Sequence, residues 1–151
     1  MYPNSLEISN DVSAAEYALY HQLREQLDNS YVVFHSVAWQ ALGNNGRPQD
    51  GETDFIIAHP NNGILVLEVK GGSIRYSASR NAWLSISQGE QTYAIKDPFI
   101  QARNAKHTLV TLLKQMLPRV RDLTIGHAVA FPDVLLDVDA LGLDKPAAII
   151  L

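Results

Sequence analysis

The chain contains no cysteine. It therefore has no disulfide framework and no thiolate metal site, and a reducing, cytoplasmic compartment fits it. Long hydrophobic runs are also missing. No apolar stretch approaches the roughly 20 residues that a membrane-spanning helix needs, so no membrane partner is expected. Met1-Tyr2-Pro3-Asn4-Ser5 offers neither a basic region nor an apolar run, so no secretory signal is expected. Two catalytic signatures are absent as well. Gly71-Gly72 lacks the spacing and the following Lys-Ser/Thr of a phosphate-cradling loop, and no Gly-x-Ser-x-Gly elbow supports serine hydrolase chemistry. His35 and His59 have no second histidine at ligand spacing, which favours strand-packing and turn roles over metal binding. There are no repeats and no low-complexity segments.

What is present suits one globular domain with a core: 151 residues, 46% hydrophobic and 19% charged. The net charge of −4, taken alone, argues against a nucleic-acid partner. Its distribution says more. Residues 1–69 carry −7, residues 70–121 carry +7 and residues 122–151 carry −4. A basic middle segment beside an acidic site is suited to holding a phosphate backbone over that site. The plainer role for Lys106, Lys114, Arg119 and Arg121 is to solvate a helix face and its exit.

Gly51-Glu52-Thr53-Asp54-Phe55-Ile56-Ile57 and Gly63-Ile64-Leu65-Val66-Leu67-Glu68-Val69-Lys70 flank the turn formers of His59-Pro60-Asn61-Asn62-Gly63. The pattern predicts a hairpin over about 53–70. With the turn centred on Asn61, Asp54 and Glu68 are equidistant from it and fall opposite each other, with Cβ atoms roughly 5 Å apart. Glu68 and Lys70 share that face, because strand side chains alternate. Two acids so close repel unless a proton or cation sits between them. A hard divalent cation is the usual resolution, and Mg²⁺ typically uses one or two protein carboxylates.

Residues 13–28 read as a helix, with Ser13 as N-cap and Glu16 completing a capping box, and with Leu19, Tyr20, Leu23 and Leu27 at helical spacing. Glu16 needs no role beyond that cap, yet it shares the apolar face and so points inward. Residues 31–38 read as a strand and 40–52 as a surface loop rich in Gly and Asn. Short strands are expected near 73–77, 82–87 and 91–95. Asp97-Pro98 opens a second helix that runs to about Leu117 and is stopped by Pro118. Its expected buried stripe is Ala102, Ala105, Leu109, Leu112, Leu113 and Met116. Gln101 lies in its first turn, as a site residue or a partly exposed polar one. Trp83 and Tyr93 are candidates for stacking on bases, with burial in the sheet the preferred role. Strands follow at 125–131 and 147–151. This order indicates an α/β sandwich with a mixed sheet. Ending on the apolar run Ala147-Ala148-Ile149-Ile150-Leu151, the chain is expected to be a domain excised from a longer parent. Nothing in it supports an oligomer.

Asp54, then Glu68-Val69-Lys70 across a hairpin, resembles the core of the PD-(D/E)xK nucleases with their restriction-endonuclease-like, three-layer fold. The ordered set of Ser13-Ala14-Ala15-Glu16, Gly51-Glu52-Thr53-Asp54, Leu67-Glu68-Val69-Lys70-Gly71-Gly72, the Trp83 strand, Asp97-Pro98-Phe99-Ile100-Gln101-Ala102 and Ala130-Phe131-Pro132-Asp133 is similar to the nuclease-related domain, NERD, over roughly the whole chain. The resemblance implies a Mg²⁺- or Mn²⁺-dependent deoxyribonuclease of DNA repair or of defence against foreign DNA. In it, Asp54, Glu68 and the Val69 carbonyl would hold the metal and Lys70 would serve the attacking water. Glu16 on the first helix would face the metal, and Gln101 would contact the site or the scissile phosphate. It also implies DNA as partner and, in some members, a fused helicase. The alternative is a nucleic-acid-binding module of weak catalysis that guides such a helicase.

Overall fold

The computed structural model describes residues 1–9, 12–42, 48–87, 89–117, 123–136 and 146–151. Helix α1 spans Ala14–Gln26. The Ser13 hydroxyl accepts from the Glu16 N–H, and the Glu16 carboxylate accepts from the Ser13 N–H in return, the reciprocal cap its sequence predicts. Tyr20 is fully buried, and Leu19, Leu23 and Leu27 pack around the same core.

Three antiparallel strands follow: β1 (Val32–Leu42), β2 (Pro48–His59) and β3 (Gly63–Val69). The expected loop over 40–52 is strand at both ends, paired from Gln40–Asp50 to Leu42–Pro48. Cross-strand pairing overrides the local turn preference of its Gly and Asn; residues 43–47 lie outside the described residues. The turn between β2 and β3 is built by its own sequence. His59 Nδ1 accepts the N–H groups of Asn61 and Asn62. Gly63 takes a φ of +87°, and a Cβ there would stand 2.2 Å from the Thr124 carbonyl oxygen, so only glycine fits. The register runs from His59–Gly63 to Phe55–Leu67, symmetric about Asn61 as expected.

Strands β4 (Ser73–Ser77), β5 (Ala82–Ile86) and β6 (Thr92–Ile95) make a separate antiparallel sheet. Trp83 is buried there, stacked on Phe131 and Phe99 at ring separations of 5.2 and 5.7 Å. Tyr93, expected to be buried too, is 54% exposed, because β6 is an edge strand open to water. Helix α2 (Pro98–Met116) is capped by the Asp97 carboxylate, which accepts from the N–H groups of Phe99 and Ile100. Its buried residues are Pro98, Phe99, Ala102 and Ala105. The predicted stripe then fades through half-buried Leu109, Leu112 and Leu113 to Met116, which is 74% exposed. The last turns are therefore helical by propensity more than by packing. Pro118, Arg119 and Arg121 lie outside the described residues.

Strand β7 (Ile125–Ala130) runs parallel to β3 and completes the order β1-β2-β3-β7. Residues 147–151 are not the expected strand. Ala147–Ile149 form a 3₁₀ turn closed by the Ile149 N–H on the Pro146 carbonyl, which leaves one parallel bridge, Ile150 to Val129. Along β7, Ala128 and Ala130 join the core around Tyr20 of α1, while Val129 between them packs with Phe99 and Ala102 of α2. The mixed sheet is thus the middle layer between two helices, an α/β fold with the restriction-endonuclease-like core. Among the described residues no helix is long and apolar enough to cross a membrane.

Candidate active site

The alternation that sends Leu67 and Val69 into the α1 core turns Glu68 to the α2 side, in register with Val129. Asp54, next to Phe55 of the α1 core, turns to the same side as Glu68. The ladder between β2 and β3 stops at Phe55–Leu67, and side chains carry the pairing further. Thr53, fully buried, donates its hydroxyl to the Leu67 carbonyl at 3.3 Å. Asp54 Oδ2 accepts the Val69 N–H at 2.6 Å. These two bonds lodge the Asp54 carboxylate against β3, beside Glu68. The Lys70 N–H is tied to the Ala130 carbonyl at 2.9 Å, and its Nζ donates to Glu68 Oε1 at 2.5 Å. Glu68 is only 4% exposed, while Lys70 is half-buried.

On β1, the position that would face Asp54 is Ser36, and this pair is skipped in an otherwise continuous register. Ser36 has a φ of +51°, a left-handed conformation that a non-glycine residue adopts at a cost and that recurs at functional sites.

The electrostatics follow from the packing. Burial first, and then the Glu68 charge, push the Asp54 carboxyl up to about 7. The Val69 N–H and the Lys70 ammonium pull it down, and Glu16 adds a smaller upward push. A carboxyl that burial and a neighbouring carboxylate push this far up is relieved either by a proton or by a cation.

Glu16 sits at the edge of this group. One oxygen serves the Ser13 cap; the other lies 3.0 Å from Nε2 of His35, a histidine only 8% exposed that packs on Phe55. Glu16 is therefore anchored between helix and sheet. It influences Asp54 through its charge without a direct bond. Gln101 lines a cleft of about 960 Å³ with Trp39, Glu52, Asp97 and Asn104, and among the described residues its buried Oε1 has no hydrogen-bond partner. Asp54, Glu68 and Lys70 do not line that cleft, which reaches β2 two residues before Asp54. Among the described residues no three His, Cys, Asp or Glu side chains gather as a metal-holding cluster.

The turn after Lys70 is held from two distant places. A Cβ at Gly71 would stand 2.4 Å from Ala15 Cβ, so glycine is what lets the start of α1 come this close. Asp133 Oδ2 accepts the Gly72 N–H at 2.7 Å, where Gly72 has a φ of +79°. The nuclease-related domain family, NERD, matches residues 12–132. The chain belongs to this family. Comparison with curated proteins and with solved structures gave no match. The NERD segment contains both helices, all seven described strands and each of Glu16, Asp54, Glu68, Val69, Lys70 and Gln101.

Three residues around the acid pair, Thr53, Asp133 and His35, make contacts that the sequence did not announce. Thr53 and Asp133 stand inside noted motifs, but a hydroxyl or carboxylate reaching a distant backbone group leaves no periodic signal. The contact between His35 and Glu16 joins residues 19 apart, which no local pattern reports.

Proposed function

We propose that this domain hydrolyses DNA phosphodiester bonds with Mg²⁺ or Mn²⁺. The observation that supports it most is the buried pair of Asp54 and Glu68 with the Lys70 ammonium on Glu68. The donor set fits a hard cation: two carboxylates suffice for Mg²⁺, and Asp54 Oδ1 accepts no hydrogen bond among the described residues. Asp54, Glu68 and the Val69 carbonyl would hold the ion, with Glu16 adding negative charge from the edge. Such an ion supplies Lewis acidity and a water of lowered pKa. Lys70 would orient the attacking water or neutralise the charge that develops on the phosphate. Gln101 offers its amide to the substrate from the neighbouring cleft. An activity of this kind suits DNA repair or restriction of foreign DNA, alone or beside a helicase in one polypeptide.

A second reading has one observation in its favour. The lack of a three-residue acidic or histidine cluster among the described residues suits a module that binds nucleic acid and leaves chemistry to a partner. Incubation with labelled linear, circular and single-stranded DNA, with and without Mg²⁺ or Mn²⁺, separates the two. The nuclease reading expects metal-dependent cleavage that Lys70→Ala lowers at least about 100-fold, the scale of acid–base assistance. DNA bound but uncut under every metal condition would leave the binding module.

A further inference from the structure

The charge of the middle segment is concentrated at one place outside the acid pair. Arg103, Lys106 and His107 stand at i, i+3 and i+4 of α2 and therefore share a helix face. Lys114, eleven residues after Arg103, continues it for about 16 Å along the axis. Beside this face lies His127 of β7, which with Arg103 lines a cavity of about 310 Å³. Burial, and then the charges of Lys106, His107 and Arg103, hold the His127 imidazole below its ordinary range, so all three side chains act on the same spot. The one carboxylate lining that cavity, Asp97, is engaged by the N–H groups at the start of α2. Among the described residues, none of the Arg103, Lys106, His107, Lys114 and His127 side chains has an ion-pair or hydrogen-bond partner. The unpaired Arg103, Lys106 and Lys114 charges on one face favour an anion there, with the two imidazoles as further hydrogen-bond donors.

The position says which anion. His127 lies two residues before Val129, the in-register partner of Glu68. At standard strand spacings this puts it roughly 8 Å from Glu68 between Cα atoms, on the same side of the sheet. At one charge per roughly 3.4 Å of strand, a 16 Å track meets several successive phosphates, whereas a free phosphate would fill one turn. We propose that Arg103, Lys106, His107 and Lys114 on α2, with His127 on β7, form a clamp for the phosphate backbone of a nucleic-acid strand and deliver that strand to the acid pair. The inference rests on the nuclease reading for its purpose, but its chemistry is tested apart from cleavage.

The test is the salt dependence of binding to a labelled DNA duplex, read by anisotropy in EDTA so that no hydrolysis intervenes. Each neutralised phosphate adds about 0.9 to the slope of log K against log salt. Arg103→Ala/Lys106→Ala should lower that slope by about 2 and weaken binding at least tenfold at low salt. Arg75→Ala/Arg80→Ala removes the same charge from β4 and its turn and should leave the slope in place. Circular dichroism melting confirms that each variant is folded; His107→Gln with Lys106→Gln is the milder pair if the first is not. An unchanged slope in the α2 variants, or an equal fall in the comparator, would overturn the clamp. So would a mononucleotide that competes as well as a strand does. Metal-dependent cleavage, measured separately with Lys70→Ala, bears on the nuclease reading alone.

Discussion

Asp54 carries two opposed loads. Its backbone partner, Val69 N–H, favours the ionised form, and its burial beside Glu68 favours the neutral one. The second wins, and the carboxyl titrates near 7 in the folded chain against 3.8 for an unperturbed aspartate. The consequence for stability has a definite sign. Below about 4 the group is protonated folded or unfolded and contributes nothing. Between about 4 and 7 the unfolded chain gives up its proton while the folded chain keeps it, so stability falls as pH rises. Above about 7 the penalty is complete, on the order of a few kcal/mol. Asp54→Asn retains an acceptor for Val69 and removes the charge. In EDTA its melting temperature should match the wild type near pH 4 and exceed it by a widening margin up to pH 8. Parallel pH curves for the two proteins would refute the burial of this charge.

At the scale of elements, α1 and the hairpin depend on single positions. Ser13→Ala removes a cap that binds both ways with Glu16 and should cost about 1 kcal/mol in denaturant titration. It also removes the hydroxyl bond to Glu16 Oε1, leaving the backbone N–H of residue 13 and the His35 contact as the anchors of Glu16. Gly71→Ala should cost more, because the new methyl meets Ala15 and must push α1 away from the end of β3; loss of any metal-dependent activity should accompany it. The same elements explain what was legible beforehand. The hairpin register could be read because Pro60, Asn61, Asn62 and Gly63 mark a turn and the flanking apolar runs are of matched length. That register alone put Asp54 opposite Glu68. Strand pairing over 40–42 and 48–52 was hidden, since Gly51 pairs under the Trp39 indole and reads locally as a loop breaker. Tyr93 and Met116 were misjudged for a common reason. Spacing states which side of an element is apolar, but not how far the neighbouring layer extends to cover it.

For the molecule as a whole, an ion bound by Asp54 and Glu68 only in the folded state stabilises that state by mass action. At about a hundredfold excess over its Kd the gain is about 2.7 kcal/mol, or roughly 5 to 10 °C in melting temperature for a chain of this size. Mn²⁺ or Mg²⁺ should produce that shift in the wild type and in Lys70→Ala, and should fail to produce it in Glu68→Gln. A shift that survives Glu68→Gln would move the ion to another place. The raised carboxyl of Asp54 makes the shift larger at pH 8 than at pH 6, since the ion must displace a proton at the lower value.

Asp133 and Ala15 hold the Gly71-Gly72 turn from opposite ends of the chain. Synthesis is vectorial, with N-terminal segments free to fold first. A ribosome therefore delivers Asp54, Glu68 and Lys70 some sixty residues before it delivers Asp133, and β7 arrives just ahead of that last anchor. In the interval β3 lacks its β7 neighbour, and the turn after Lys70 lacks its Asp133 anchor. The hairpin alone carries both acids and Lys70, while the strand that lies beside Glu68 and the anchor of the following turn come last in the chain.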